Sequence, residues 1–278
     1  MKRKLFIILM LIIWMISTSL LVKDLWQSNQ DEKAFKELRK QVETKNSTDI
    51  KNDEKNEENN QRNNHQMIER KRDEEPINRR LESSPQVLEQ YKKLVEINDE
   101  FVGWLEIENT KINYPVMQTA DDEEYYLYRN FERDYSPSGT PFLSAHSRAE
   151  GMNNQIIVYG HNMNNGTVFS DLLRYKEKEF WEETPQIGFD TLYKERSFEI
   201  FAVFEIDVTV GNGHFEFYNY LEFQNNEEFM MFIKEVEALA LYDTKVDVRF
   251  GETILTLVTC ENDALSKRMV VMGVEKKE

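Results

Sequence analysis

The chain has 278 residues, 40% of them hydrophobic, with a formal net charge of −16 and a mean hydropathy of −0.66. That length holds one or two domains, and that charge argues against nucleic acid as a partner. The single cysteine, Cys260, excludes an intrachain disulfide, so an exported domain rests on packing alone.

Lys2-Arg3-Lys4 precede an uncharged apolar run from Leu5 to Val22, long enough to cross a membrane. Ser17-Thr18-Ser19 are small, but Leu20-Leu21-Val22 follow them, so a cleavage site is poorly formed and a retained anchor over residues 1–27 is expected. The basic flank stays inside and the remainder faces outward. Residues 28–82 form a polar, charged linker, partly helical or disordered, too poor in apolar residues to bury a core of its own. Phe35, Leu38 and Val42 have helical spacing, and Met67 to Leu81 is a second stretch with partial helical character. The composition fits both a tether that lifts a domain off the membrane, spanning roughly 40 Å as a flexible coil, and a tail with no such role.

The domain expected over residues 83–278 begins with a helix opened by Ser84-Pro85, its stripe of Val87, Leu88, Tyr91, Leu94 and Val95 facing a core. Strand-like runs follow at Val102–Ile107, Ile112–Val116, Thr140–Ala145, Ile156–Tyr159, Ile187–Leu192 and Ser197–Val210. The acids Asp121 to Glu124 suit a helix N-terminus continuing through Tyr125 to Phe131, and they lack the ordered spacing of a metal loop. Another helix is expected to begin at Gly166-Thr167, and an amphipathic one covers Asn226 to Tyr242. Two β-branched runs, Thr253 to Cys260 and Met269 to Val274, flank a short polar connection and read as paired strands. Short, closely spaced strands with few helices indicate a mainly β barrel or sandwich.

Cys260 ends the first of those paired strands and Arg268 starts the second. A lone cysteine is often a small buried hydrophobe, and a strand-end arginine often pairs with a neighbour such as Glu261 or Asp263. A strand end is also where sites form, a nearby cation favours the thiolate, and an unpaired thiol outside the cell needs a reason to exist. A thiol nucleophile further needs a proton donor for its leaving group. Of the four histidines, His65 lies in the polar segment and His214 in a glycine-rich loop expected to be exposed, while His146 and His161 both follow strand-like runs. Periodicity does not choose between those two. No Cys/His cluster or Walker-type loop supports zinc or nucleotide chemistry, so no metal or cofactor is expected.

Thr256-Leu257-Val258-Thr259-Cys260 with Arg268 resembles the Thr-Leu-x-Thr-Cys…Arg signature of the sortases, and Tyr159-Gly160-His161 resembles that family's Tyr-Gly-His segment. Gly103-Trp104-Leu105, Tyr114-Pro115-Val116 and Tyr126-Leu127-Tyr128-Arg129-Asn130-Phe131 resemble class B members in particular. The resemblance implies a closed β-barrel with N-terminal and peripheral helices and a membrane-anchored cysteine transpeptidase. It implies Cys260 as nucleophile, His161 as general acid, Arg268 as oxyanion stabiliser, and Tyr159, Thr259 and Glu261 as substrate contacts. The implied partners are secreted proteins carrying a C-terminal Asn-Pro-x-Thr-x-like sorting signal and a cell-wall amine that accepts the acyl group. A secreted cysteine protease and a non-enzymatic tethered binding module are the alternatives. A papain-like order, with cysteine early and histidine late, is the reverse of the one found here.

Overall fold

In the computed structural model, residues 2–63, 85–149, 155–209, 211, 213–261 and 264–276 are described. His65, the stretch from Met67 to Leu81, the Ser84 start of the expected helix, most of the loop from Gly151 to Gln155, and Asp263 lie outside them.

One long helix, α1 (Lys2–Asn63), joins the apolar run to the polar segment, and a short α2 (Lys92–Ile97) follows. The strands are β1 (Phe101–Glu106), β2 (Asn113–Met117), β3 (Phe142–Leu143) and β4 (Gln155–Tyr159). After α3 (Lys178–Glu183) come β5 (Gln186–Thr191) and β6 (Ser197–Asp207). Helix α4 (Asn226–Leu239) precedes the closing strands β7 (Ile254–Glu261) and β8 (Ala264–Glu275). Spatially the strands run β1-β2-β3-β4-β7-β8-β6-β5, and β5 returns to β1 to close a barrel. Closure leaves the barrel no free sheet edge, which removes an aggregation hazard.

Alternation along the central strands divides the apolar side chains between two cores. Ile156 and Val158 of β4, Leu255 and Leu257 of β7, and Met269 and Val271 of β8 belong to one cluster with Phe101, Leu105 and Phe189. Ile157, Val258, Val270 and Met272 turn to the opposite face and pack with Phe229, Phe232, Ile233 and Val236 of α4. The side chain of Asn225 caps α4 by accepting from the Glu228 amide at 2.9 Å, satisfying a helix-end donor.

The middle of α1 is not free of the barrel. Phe35, Leu38 and Val42 are buried, and the Phe35 ring meets Tyr114 edge-on at 5.0 Å. Arg39 donates to the Asn113 carbonyl at 2.7 Å and lies over the Tyr114 ring. Burial of each apolar side chain is worth on the order of 1.5–3 kcal/mol as an upper estimate. The N-terminal part of the expected linker therefore packs as helix against β2, and the stripe read in the sequence is its contact face.

Several local expectations change. No helix begins at Pro85: the Leu88 amide donates to the Leu192 carbonyl just after β5, and a turn closed by the Tyr91 amide on the Leu88 carbonyl leads into α2. Tyr91 and Leu94 are buried as the stripe implied. The expected helix through Phe131 is a single 3₁₀ turn at Tyr125–Tyr128, since Arg129 turns extended and bridges Tyr135. The helix expected from Gly166 starts only at Ser170, as a 3₁₀ turn to Lys176, because Asn162 bridges Val168 and Val168 takes a positive φ of 55°. Strand β3 keeps only two residues of the expected run, and α3 had no clear periodic signal.

Candidate active site

The site lies where β4, β7 and β8 end together. Strand β4 runs parallel to β7 with Tyr159 beside Val258, and the Gly160 amide continues the ladder by donating to the Val258 carbonyl at 3.2 Å. Strand β7 runs antiparallel to β8 with Cys260 directly opposite Arg268. The register slips between Cys260 and Glu261, and the backbone of Glu261 then pairs with Ala264. A bulge of this kind ends regular pairing and commonly sits beside a site. Three neighbouring strands thus bring Cys260, His161 and Arg268 to one end of the barrel.

His161 is held from two sides. Its Nε2 lies 2.8 Å from the Leu127 carbonyl oxygen, and its own carbonyl accepts from the Phe169 amide at 2.9 Å. A carbonyl only accepts, so Nε2 carries the proton and Nδ1 is left for chemistry. The Tyr128 ring sits 5.3 Å from the imidazole, tilted by 50°. Burial pushes the His161 pKa below its ordinary value, and the Leu127 hydrogen bond works in the opposite direction. Gly160 is required by close packing: a Cβ there would lie 2.7 Å from the Phe169 ring.

A groove of about 640 Å³ opens over these residues, lined among others by Leu127, Tyr128, Tyr159, His161, Thr259 and Arg268. Burial pushes the Tyr159 hydroxyl up to about 12; Glu123 adds to the rise and Arg268 opposes it, so both charges act on that one hydroxyl. Arg268 donates to the Lys267 carbonyl at 3.1 Å and is half-buried. Thr259 is buried, and its hydroxyl donates to the Gly160 carbonyl at 2.7 Å. That hydroxyl donates within the protein, and Thr259 also lines the groove.

Neither His146 nor His214 lines the groove. His146 is exposed in the loop after β3. His214, expected to be exposed, is half-buried, with Nε2 3.1 Å from the Tyr218 hydroxyl. The acids read as helix-terminal charges do precede the 3₁₀ turn, with Glu124 at its N-cap, and two of them have a second setting: Glu123 and Glu124 line the groove, and Glu123 accepts from the Ala145 amide at 3.1 Å. Sequence reasoning missed this, and it also missed Leu127, whose contribution is a backbone carbonyl with no residue-type signature. Among the described residues no cluster of His, Cys, Asp and Glu is arranged to hold a metal ion.

Comparison with known proteins gives this arrangement a family. The sortase-domain family model matches residues 105–276. The sortase B of Listeria monocytogenes is 32% identical over 190 residues, spanning 68% of this chain and 74% of that protein. The solved Staphylococcus aureus sortase B–substrate complex superposes with a TM-score of 0.62 at 29% identity, over 69% of this chain and 87% of that one. A crystal structure of a sortase B complexed with a glycine tripeptide superposes with a TM-score of 0.69 at 25% identity and extends over 90% of this chain and 98% of that one. With this barrel, and with the Tyr-Gly-His and Thr-Cys…Arg segments meeting at one end of it, the chain belongs to the sortase family in its class B and is a sortase-type cysteine transpeptidase, acting by acyl transfer through a thioacyl intermediate.

Proposed function

We propose that Cys260, His161 and Arg268 carry this acyl transfer on secreted proteins bearing an Asn-Pro-x-Thr-x-like C-terminal sorting signal, and that the acceptor is a cell-wall amine. The observation that carries the assignment is the fixed imidazole: Leu127 holds Nε2 of His161 beside the strand end at which Cys260 stands opposite Arg268. The Cys260 thiolate attacks the carbonyl carbon of the signal's threonine, and the pair of electrons displaced onto oxygen is met by the Arg268 guanidinium. The C–N bond then breaks, and the leaving amine takes the Nδ1 proton of the His161 imidazolium. The neutral Nδ1 next takes a proton from the incoming amine, whose nitrogen displaces sulfur and forms the new amide. Tyr159, Thr259 and Glu261 are the proposed substrate contacts.

Water competes for the same thioester, and transfer prevails only where an amine is positioned and water is not. The relative complexed with a glycine tripeptide supports an amine acceptor, since such a peptide presents a primary amine. The N-terminal part of α1 is long and apolar enough to cross a membrane, and none of the large apolar side chains described from Phe6 to Val22 is buried. With Lys2, Arg3 and Lys4 on the inner side, the barrel lies outside the cell, where an exported protein and a wall precursor both arrive.

The test is single-turnover decay of the isolated acyl-enzyme with and without triglycine. Slow decay in buffer, faster decay with triglycine, and an amide of the substrate threonine as product are expected. Rapid decay to free acid that no amine alters would make the protein a hydrolase instead.

A further inference from the structure

Helix α1 touches the barrel at more than its apolar stripe. One and two turns before Phe35, the buried polar residues Asp31 and Ser28 of α1 reach the two segments that hold His161 in place. The Ser28 hydroxyl accepts from Asn165 Nδ2 at 2.7 Å and lies 3.1 Å from the Ser138 hydroxyl. The Asp31 carboxylate accepts from the Ser136 hydroxyl at 2.6 Å and from Gln27 Nε2 at 3.1 Å. Ser28, Asp31, Ser136 and Ser138 are all at most 6% exposed, so the Ser28–Ser138 and Ser136–Asp31 contacts are made away from competing water, while Asn165 reaches Ser28 from an exposed loop position.

Both paths end at the imidazole. Ser136 Oγ also accepts from the Gly139 amide at 3.0 Å, which shapes the turn from Ser136 to Gly139. That turn lies directly against the 3₁₀ segment: a Cβ on Gly139, whose φ is +60°, would stand 2.3 Å from the Leu127 carbonyl oxygen. This is the oxygen that accepts from His161 Nε2. On the other path, Asn165 lies in the loop leaving His161, which closes through the Asn162–Val168 bridge and the Phe169-to-His161 backbone hydrogen bond. A shift of the Ser136–Gly139 turn moves the carbonyl, and a shift of the Asn162–Val168 loop moves the ring that donates to it.

We propose that Ser28 and Asp31 of α1 are positioning residues for His161, so that the helix leading from the membrane sets the geometry of the acyl-transfer site. The inference rests on His161 acting as the proton donor. Its physical basis is that small displacements of a reacting group cost far more in rate than in stability.

The experiment uses the full chain in detergent micelles or nanodiscs, with a sorting-signal peptide as substrate and triglycine as acceptor. Ser28→Ala combined with Asp31→Ala is expected to lower kcat about tenfold or more while KM for the peptide stays within about twofold. Asp31→Asn keeps an acceptor for Ser136 and restores most of kcat in the Ser28 wild-type background, whereas Asp31→Ala does not. Leu38→Ala, which loosens the same helix through its apolar stripe, lowers Tm without this loss of kcat. A second readout needs no turnover: in protein carrying ¹⁵N-histidine, the His161 ring signals, assigned by their absence from His161→Ala, show one Nε2–H form in the wild type and a mixture of tautomers in the double variant. Unchanged kcat and tautomer in the double variant overturn the proposal, as does a fall in kcat that follows Tm equally in Leu38→Ala. If His161→Ala keeps its turnover, the catalytic assignment of His161 fails, while the tautomer readout still decides whether α1 positions the ring.

Discussion

The hydroxyl of Thr259 donates to the carbonyl of Gly160 across 2.7 Å, which ties the residue before Cys260 to the residue before His161. Both groups are buried, so no water replaces the bond if it is lost. Thr259→Val keeps the shape and removes the donor. It is expected to cost about 1–3 kcal/mol of stability, because the Gly160 carbonyl is left unsatisfied. Urea unfolding measures that cost, and the rate of acyl-enzyme formation should fall with it. A variant as stable and as fast as the wild type would show that β4 and β7 need no such tie.

Gly160→Ala puts a methyl group into the face of Phe169, where 2.7 Å is available. Overpacking of this kind costs about 1–3 kcal/mol and displaces the neighbours. Here the displaced neighbour is the segment carrying His161, so turnover is expected to fall further than stability alone explains. Phe169→Leu in the same chain makes room and should return part of the lost Tm; no recovery would point away from the Phe169 clash.

Cys260→Ala is expected to abolish the acyl-enzyme detected by mass spectrometry, and His161→Ala nearly to abolish turnover. His146→Ala, at an exposed loop position, should be close to wild type. Arg268→Lys keeps the charge but loses the planar fork of donors. If the guanidinium meets the oxyanion, this change costs on the order of 10²–10³ in kcat, with circular dichroism unaltered. Normal turnover in Arg268→Lys would leave the residue a charge role only.

Burial holds the His161 pKa below its ordinary value of 6.5, against the smaller opposing effect of the Leu127 carbonyl. In a Cys260→Ala background, where no thiolate intervenes, NMR titration should therefore place His161 below 6.5. With the folded value depressed, the unfolded chain takes the proton first on acidification. The stabilising contribution is complete above the unfolded pKa and is lost as pH falls through the folded one. Denaturant titrations at pH 7.5 and pH 5 should show Cys260→Ala losing more stability on acidification than Cys260→Ala combined with His161→Gln. An equal loss would mean that His161 is solvated as freely in the fold as out of it.

Much of this was legible in the residues. The β7–β8 pair announced itself through β-branched runs of strand length, and the Tyr159-Gly160-His161 and Thr259-Cys260…Arg268 segments marked the strand ends that the barrel brings together. The stripe of Phe35, Leu38 and Val42 signalled a helix face but not its partner, because Tyr114 belongs to a strand distant in the chain and nothing local names it. The helix starts at Pro85 and Gly166 were misjudged for a related reason. A tertiary hydrogen bond from the Leu88 amide to Leu192 overrode the local preference at the first, and the loop closure across the Asn162–Val168 bridge did so at the second. Leu127 was invisible as a site residue, since any side chain could present the carbonyl that His161 uses.

The continuity of α1 has one more consequence under the proposed membrane anchoring. Between Val22, where the apolar run ends, and Ser28, already buried against the barrel, a helix advances only about 9 Å at 1.5 Å per residue. The groove is then fixed at one altitude and does not roam at the end of a coil. Partners confined to that same layer meet it by lateral diffusion, so encounter depends on their number per unit of membrane area. A soluble peptide in bulk solution samples a volume instead, and rates measured with it describe a search the enzyme is not built to perform.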